Sequence, residues 1–211
     1  MEAEMKKILF LGDSITDAGR AKDKDSAKGH GYVTLVAAKL GFEYPGEYEF
    51  FNRGISGNRV CDLLARIRRD AINHKPDVIS ILIGVNDVSH EIAYENGVSA
   101  KLYETLYNIL IEEVKAVLPG VRILILEPFV LKGVATEARY DAFREEVELR
   151  AAVAKRISER NGLEFISLQR KFDEAAKIVS PSYWLEDGVH PTSAGHELIA
   201  REWISKFYRL T

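Results

Sequence analysis

Apolar residues alternate along the chain between two spacings. Short runs at residues 8–11, 48–51, 78–83, 121–126 and 163–166 are almost wholly apolar and stop at small or polar residues. Runs of this length without a polar alternate predict strands covered on both faces, as in a parallel sheet. Between them, apolar residues recur at helical spacing. Residues 33–40 predict a short helix. Residues 60–73 carry Val60, Leu63, Leu64, Ile67 and Ile72, with Pro76 beyond as a stop. Residues 102–118 present Leu102, Leu106, Ile109, Leu110, Val114 and Val117 as one stripe. Residues 140–160 present Phe143, Val147, Ala151, Ala154 and Ile157, then close on Asn161-Gly162. Thr192 or Ser193 can cap a last helix through Leu198, Ile199, Trp203 and Ile204. Strands alternating with long helices imply βαβ units: an α/β fold, a parallel sheet with helices on both faces. No linker, repeat or second domain interrupts the pattern, so a single domain over residues 1–211 is expected.

The polar residues gather where strands stop. Gly12-Asp13-Ser14-Ile15-Thr16 follows the first run, Asn52-Arg53-Gly54-Ile55-Ser56-Gly57-Asn58 the second, and Gly84-Val85-Asn86-Asp87 the third. In a parallel sheet these segments leave on one edge, the edge where open α/β sheets bind ligands. Residues 18–31 form a polar, glycine-punctuated insert. It is expected to be mostly solvated and to overhang that edge.

Near the C-terminus stands Asp187-Gly188-Val189-His190-Pro191. An aspartate three residues before a histidine can accept the Nδ1–H, fix the tautomer and leave Nε2 to take a proton from a hydroxyl. With Ser14 at a strand end, the pair forms a candidate nucleophile–base–orienter set. The G-x-S-x-G elbow is not met, because Thr16 stands at its fifth position. Acyl transfer also needs donors for the oxyanion. Gly54 can offer its backbone N–H and Asn86 its side-chain amide.

Gly12-Asp13-Ser14, Gly54, Asn86 and His190 together resemble the four blocks of the GDSL/SGNH hydrolase superfamily. The resemblance implies a three-layer α/β/α flavodoxin-like sandwich with a five-stranded parallel sheet. It implies Ser14 as nucleophile, His190 as base and Asp187 as its partner. The oxyanion hole would be the Ser14 N–H, the Gly54 N–H and the Asn86 amide. A narrower resemblance, carried by residues 12–20, 31–33, 52–58, 84–88, 127–129 and 189–196, is to intracellular bacterial carbohydrate acetylesterases of the acetylxylan esterase type. That group removes acetyl groups from xylo-oligosaccharides and related sugars, and some members form large oligomers. The expected partner is a small acyl ester, such as an acetylated saccharide, with a homo-oligomer admitted.

Composition narrows the field. The 211 residues carry 29 basic and 32 acidic side chains, a net charge of −3, which gives no basic footprint for nucleic acid. No apolar run approaches the ~20 residues of a membrane span. The start, Met-Glu-Ala-Glu-Met-Lys-Lys, lacks the basic region and apolar stretch of a secretory leader, so a cytoplasmic location is expected. The single cysteine, Cys61, excludes an intramolecular disulfide and a Cys-paired zinc site, and reads as a half-buried small hydrophobe.

Around the nucleophile, Asp13, Asp17 and Arg20 are candidate substrate ligands. Asp17 and Arg20 are equally consistent with a structural pair. Tyr183 and Trp184 form a candidate aromatic platform for a sugar ring. His30, His74, His90 and His196 show no ligand spacing and are expected at the surface or at helix caps, so no metal and no cofactor is assigned. Three other readings stay open: a lysophospholipase- or thioesterase-like hydrolase with the same residues, a metal-dependent phosphoesterase, and a non-catalytic carbohydrate-binding module.

Overall fold

The computed structural model describes residues 5–209. Residues 1–4, on which the leader expectation partly rests, lie outside the described residues. Five strands form one parallel sheet: β1 (Lys6–Gly12), β2 (Tyr48–Gly54), β3 (Val78–Leu82), β4 (Arg122–Leu126) and β5 (Glu164–Ile166). The order is β2-β1-β3-β4-β5. The chain leaves β1 toward β2 and then crosses to β3 on the other side, so the connections reverse direction at the β1/β3 boundary. A crevice forms at such a reversal beyond the carboxyl ends of the strands. Gly12 pairs with Leu82 at that boundary, which sets the segments after β1 and β3 side by side.

The helices in chain order are α1 (Ser14–Asp17), α2 (Tyr32–Glu43), α3 (Val60–Asp70), α4 (Val85–Tyr94), α5 (Ala100–Val117), α6 (Tyr140–Asn161), α7 (Gln169–Ala176), α8 (Pro181–Trp184) and α9 (Ser193–Phe207). Successive strand residues point to opposite faces, so each buried strand feeds two cores. Ile8 and Phe10 of β1, with Leu124 and Leu126 of β4, pack with Tyr32, Val36 and Leu40 of α2 and with Ile199 and Trp203 of α9. Leu9 and Leu11, with Ile79, Ile81, Ile123 and Ile125, pack with α3, α5 and the second half of α6. Both layers are therefore present, and the three-layer expectation is met. Ser80 is the polar exception in β3. It is buried, and its Oγ accepts the Trp203 indole N–H at 3.0 Å, which satisfies both groups inside the core.

Four of the five strand expectations, and the helices over 102–118 and 140–160, hold to within two residues at each end, while the strand expected at 48–51 runs on through Asn52 and Arg53 to Gly54. The helix expected at 33–40 runs longer, Tyr32–Glu43. The one at 60–73 ends at Asp70 and continues as a 3₁₀ turn over Ile72–His74. Thr192 caps α9 as expected, its hydroxyl accepting the Gly195 N–H at 3.2 Å. Asn86 and Asp87 lie in the first turn of α4, a helix the spacing of apolar residues does not predict. Among the described residues, no helix is long and apolar enough to cross a membrane.

Candidate active site

The nucleophile candidate sits on a single helical turn. β1 stops at Gly12, where a side chain would collide with the Thr16 hydroxyl and the Leu82 carbonyl. Asp13 then caps α1, its Oδ1 accepting the Ile15 N–H at 3.0 Å, and Ser14 is the first residue of the turn. The Ala18 N–H closes the turn on the Ser14 carbonyl at 2.9 Å. This leaves the half-buried Ser14 side chain at the lip of the crevice.

The base arrives from the far end of the chain. Leu185 and Pro191 form an antiparallel bridge, and the Glu186 N–H donates to the His190 carbonyl at 2.8 Å, so residues 185–191 form a tight hairpin. Asp187 organises its tip. Its Oδ1 accepts the Val189 and His190 N–H groups at 2.9 and 2.8 Å, and its Oδ2 meets His190 Nδ1 at 2.7 Å. His190 Nε2 lies 2.9 Å from Ser14 Oγ. Burial alone would raise the Asp187 carboxyl. The hydrogen bonds from His190 and Val189 outweigh it and hold the carboxyl below its ordinary value. An ionised Asp187 keeps the proton on Nδ1 and leaves Nε2 as the acceptor facing the serine. The segment after β4 braces this hairpin: Leu131 and Ala135 donate to the Gly188 and Asp187 carbonyls, each at 2.9 Å.

The oxyanion donors need one correction. Asn86 is half-buried, and one of its amide protons is used, Nδ2 donating to the Asn58 carbonyl at 3.1 Å. The second amide N–H remains. Gly54, the other expected donor, is occupied. Its N–H donates to Asn52 Oδ1 at 2.9 Å, and its Cα packs against the α1 backbone so closely that a side chain would overlap Asp17. The physical reason is strand alternation. The Ile55 N–H pairs with the Gly12 carbonyl at 3.1 Å, which turns the Gly54 N–H off the free edge of β2. The next glycine is different. Gly57 holds φ at +81°, a value that favours glycine, in a turn closed by the Asn58 N–H on the Ile55 carbonyl at 3.2 Å. Among the described residues no acceptor meets the Gly57 N–H. The same turn presents the Asn58 carbonyl that holds Asn86.

The proposed substrate ligands around Ser14 are corrected as well. Asp13 is buried as a helix cap, and burial pushes its carboxyl up to about 7. Asp17 is buried, and its Oδ2 accepts the Ser56 N–H and hydroxyl at 3.2 and 3.1 Å and pairs with Lys22 at 3.4 Å. Arg20 donates through Nε to the Gly54 carbonyl at 3.1 Å, and burial lowers its affinity for the proton. These three hold the loop scaffold rather than face a substrate. The loop over 18–31 is correspondingly anchored at both ends, and residues 21–26 form its exposed tip. Tyr183 is 54% exposed, its ring set edge-on to Trp184 at 5.1 Å, while the Trp184 indole donates inward to the Ala175 carbonyl at 3.0 Å. Thr192 ties the Tyr183 carbonyl to the histidine segment at 2.7 Å.

Two groups escape sequence reasoning. His196 is a cap, one of the two places expected for it, but a buried one and on a helix far from it in sequence. Its Nδ1 accepts the first N–H of α2, from Tyr32, at 3.2 Å, and burial lowers its pKa to about 4. Asn52, buried at the end of β2, donates to the Thr16 and Lys28 carbonyls at 2.6 and 2.8 Å. No periodicity marks either, because both act between segments distant in sequence. Asp87 is buried beneath the site, accepts the Val60 N–H at 3.1 Å through Oδ1, and is pushed up to about 7 by burial. Among the described residues no three His, Cys, Asp or Glu side chains converge as metal ligands.

A hydroxyl, an imidazole and an ionised carboxylate in hydrogen-bond series, on the carboxyl edge of a parallel sheet, equip a protein for acyl transfer to serine. The chain belongs to the GDSL-like lipase/acylhydrolase family, whose model matches residues 10–198, and it is a carboxylic ester hydrolase. It is 37% identical over 208 residues to the acetylxylan esterase of Geobacillus stearothermophilus, covering 94% of this chain and 92% of that protein. The solved structure of that esterase matches with a TM-score of 0.86 at 36% identity, over 98% of this chain and 96% of the other. It has also been solved as catalytic mutants in which a serine, an aspartate or a histidine is replaced by alanine. A GDSL-like lipase from Parabacteroides merdae matches with a TM-score of 0.90 at 35% identity, over 96% of this chain and 97% of that one.

Proposed function

We propose that the protein is a serine esterase that removes short acyl groups, acetyl above all, from acetylated sugars or xylo-oligosaccharides, with Ser14, His190 and Asp187 as its triad. The observation that carries this reading is the continuous relay, 2.9 Å from Ser14 Oγ to His190 Nε2 and 2.7 Å from Nδ1 to Asp187. The Geobacillus relative lends support. Its mutated aspartate and histidine lie three positions apart, the spacing of Asp187 and His190.

In this mechanism Ser14 Oγ attacks the ester carbonyl carbon as its proton passes to His190 Nε2. The carbonyl oxygen becomes an oxyanion, held by the Ser14 N–H, the Gly57 N–H and the free amide proton of Asn86. Collapse breaks the bond to the alcohol oxygen, which leaves with the proton from His190. Water then repeats the sequence on the acyl-enzyme, with His190 first as base and then as acid, and Ser14 is regenerated. Tyr183 offers an exposed ring face beside the histidine segment for stacking against a sugar.

The test is a substrate panel with wild type and Ser14→Ala. Acetylated xylo-oligosaccharides and p-nitrophenyl acetate should be turned over, with kcat/KM falling from acetate through butyrate to octanoate. Ser14→Ala should lose activity by several orders of magnitude, ~10⁶ for a comparable triad serine. A serine-directed phosphonate should inactivate the wild type and label Ser14. A maximum at octanoate or beyond would favour a lysophospholipase- or thioesterase-like enzyme, and loss of activity to a chelator would favour a metal-dependent phosphoesterase.

A further inference from the structure

The oxyanion donors come from three separate segments: Ser14 after β1, Gly57 after β2 and Asn86 after β3. One buried side chain outside the triad touches or supports all three. Arg66, on α3, is 8% exposed. Its Nη2 donates to the Gly12 carbonyl at 3.0 Å, two residues before Ser14. Its Nη1 donates to the Arg53 carbonyl at 2.8 Å, at the end of β2. Its Nε donates to Asn58 Oδ1 at 2.7 Å. Asn58 follows Gly57 in the turn, and its own carbonyl holds the Asn86 amide at 3.1 Å. Asp70 pairs with Nη1 at 2.8 Å.

We propose that Arg66 is a positioning residue for the oxyanion site, its guanidinium fork fixing the Ser14, Gly57 and Asn86 donors relative to one another. The inference rests on the serine-esterase reading above and deepens it. The planar fork matters because acceptors at the end of β1, at the end of β2 and in the turn beyond it are met by one rigid group with donors at fixed angles, and the Asn58 carbonyl passes that order on to Asn86. An ammonium on a flexible stem has no such geometry. Oxyanion donors act through preorganisation, so a small change in their spacing acts on the transition state and leaves ground-state binding largely intact. Burial lowers the affinity of Arg66 for its proton, and the hydrogen bond and charge of Asp70 oppose that in part. The segments it joins do not all need it for pairing, since β1 and β2 already bond along their full length.

The experiment compares wild type, Arg66→Lys, Asn58→Leu and the double variant on p-nitrophenyl acetate, below the melting transition of each. Arg66→Lys should lower kcat by ~10–10²-fold, the range expected for a displacement near 1 Å, with KM within about threefold. Affinity for phenylboronic acid, which forms a tetrahedral adduct on a nucleophilic serine, should fall in proportion to kcat. Asn58→Leu should show the same split, and the double variant should lose little more than the worse single, since both break one path. Should Arg66→Lys fail to fold, Asn58→Leu carries the same test. Wild-type kcat in either folded variant, a loss confined to KM, or losses that multiply in the double would overturn the proposal. Phosphonate labelling of wild-type Ser14 separates the two layers: without it, the nucleophile assignment falls and this inference with it.

Discussion

Replacing Asn52 by leucine tests how the nucleophile is held. The buried amide ties three segments: it donates to Thr16 and Lys28 at 2.6 and 2.8 Å and accepts from Gly54 at 2.9 Å. Leucine has the same branched heavy-atom skeleton with bulkier ends, so no cavity forms and the loss is chiefly polar. It leaves the Thr16 carbonyl and the Gly54 N–H without these partners in a dry setting, while the Lys28 carbonyl is half-buried. Each buried group left unsatisfied costs ~1–3 kcal/mol, so the variant should lose about 3–5 kcal/mol. For a chain of this size each kcal/mol shifts Tm by ~2–4 °C, giving a fall of roughly 6–20 °C by calorimetry. The functional effect is separate. Thr16 is the third residue of α1, so its release frees the turn that carries Ser14, and a shift near 1 Å in the Ser14–His190 contact can cost ~10²-fold in kcat. Turnover should therefore be measured well below the lowered transition, where the variant is fully folded. Asn52→Asp should be at least as damaging, because it keeps the Gly54 acceptor but turns a carboxylate toward two carbonyls. A Tm within about 2 °C of wild type, with unchanged kcat, would refute the reasoning.

Three further outcomes are expected. Asp187→Asn should lower kcat by ~10⁴, because an amide N–H facing Nδ1 selects the tautomer that puts a proton between Nε2 and Ser14; a loss below tenfold in steady-state assays would contradict the relay. Asn86→Ala should lower kcat by ~10²–10³ with little change in KM; an effect on KM alone would move Asn86 from the oxyanion to substrate positioning. His196, depressed to about 4 from 6.5, contributes stability that is fully present above pH 6.5 and is lost as pH falls toward 4. That contribution is on the order of 3 kcal/mol. Asp13 and Asp87, raised from 3.8 to about 7, act with the opposite sign over much of this range, favouring the folded state as pH falls. The difference between wild type and His196→Gln in denaturant melts isolates the histidine: the gap should shrink from pH 7 to pH 4.5, and a constant gap would contradict it.

The strands were legible because a strand buried on both faces needs a nearly continuous apolar run, and small residues, polar residues or proline mark where each stops. The hydrogen-bonded series of Ser14, His190 and Asp187 was legible because Asp187 and His190 are neighbours in sequence and Ser14 stands at a strand end. Helix α4 was not, since its first turn carries Asn86-Asp87, a turn-like pair, and it shows only Val85, Val88 and Ile92 along its apolar stripe. Gly54 and Gly57 could not be told apart by spacing. Which N–H is free depends on which residues of an edge strand pair inward and on where the Asn52 amide turns. His196 looked like any polar residue near a helix start. Its burial follows from the packing of α9 on α2, a contact between elements about 160 residues apart.

The serine and its base stand 176 residues apart, with β1 enclosed between β2 and β3. During synthesis the attacking alcohol emerges early, as an ordinary serine on an exposed turn. On the proposed mechanism it becomes a nucleophile when the hairpin carrying Asp187 and His190 has docked beside it, and that hairpin leads directly into α9, which packs on α2. Activity is thus a property of a nearly finished chain. Ribosome-bound intermediates and fragments lacking the hairpin carry the hydroxyl without its proton acceptor, so the appearance of ester cleavage during translation reports closure of the whole sheet-and-helix assembly.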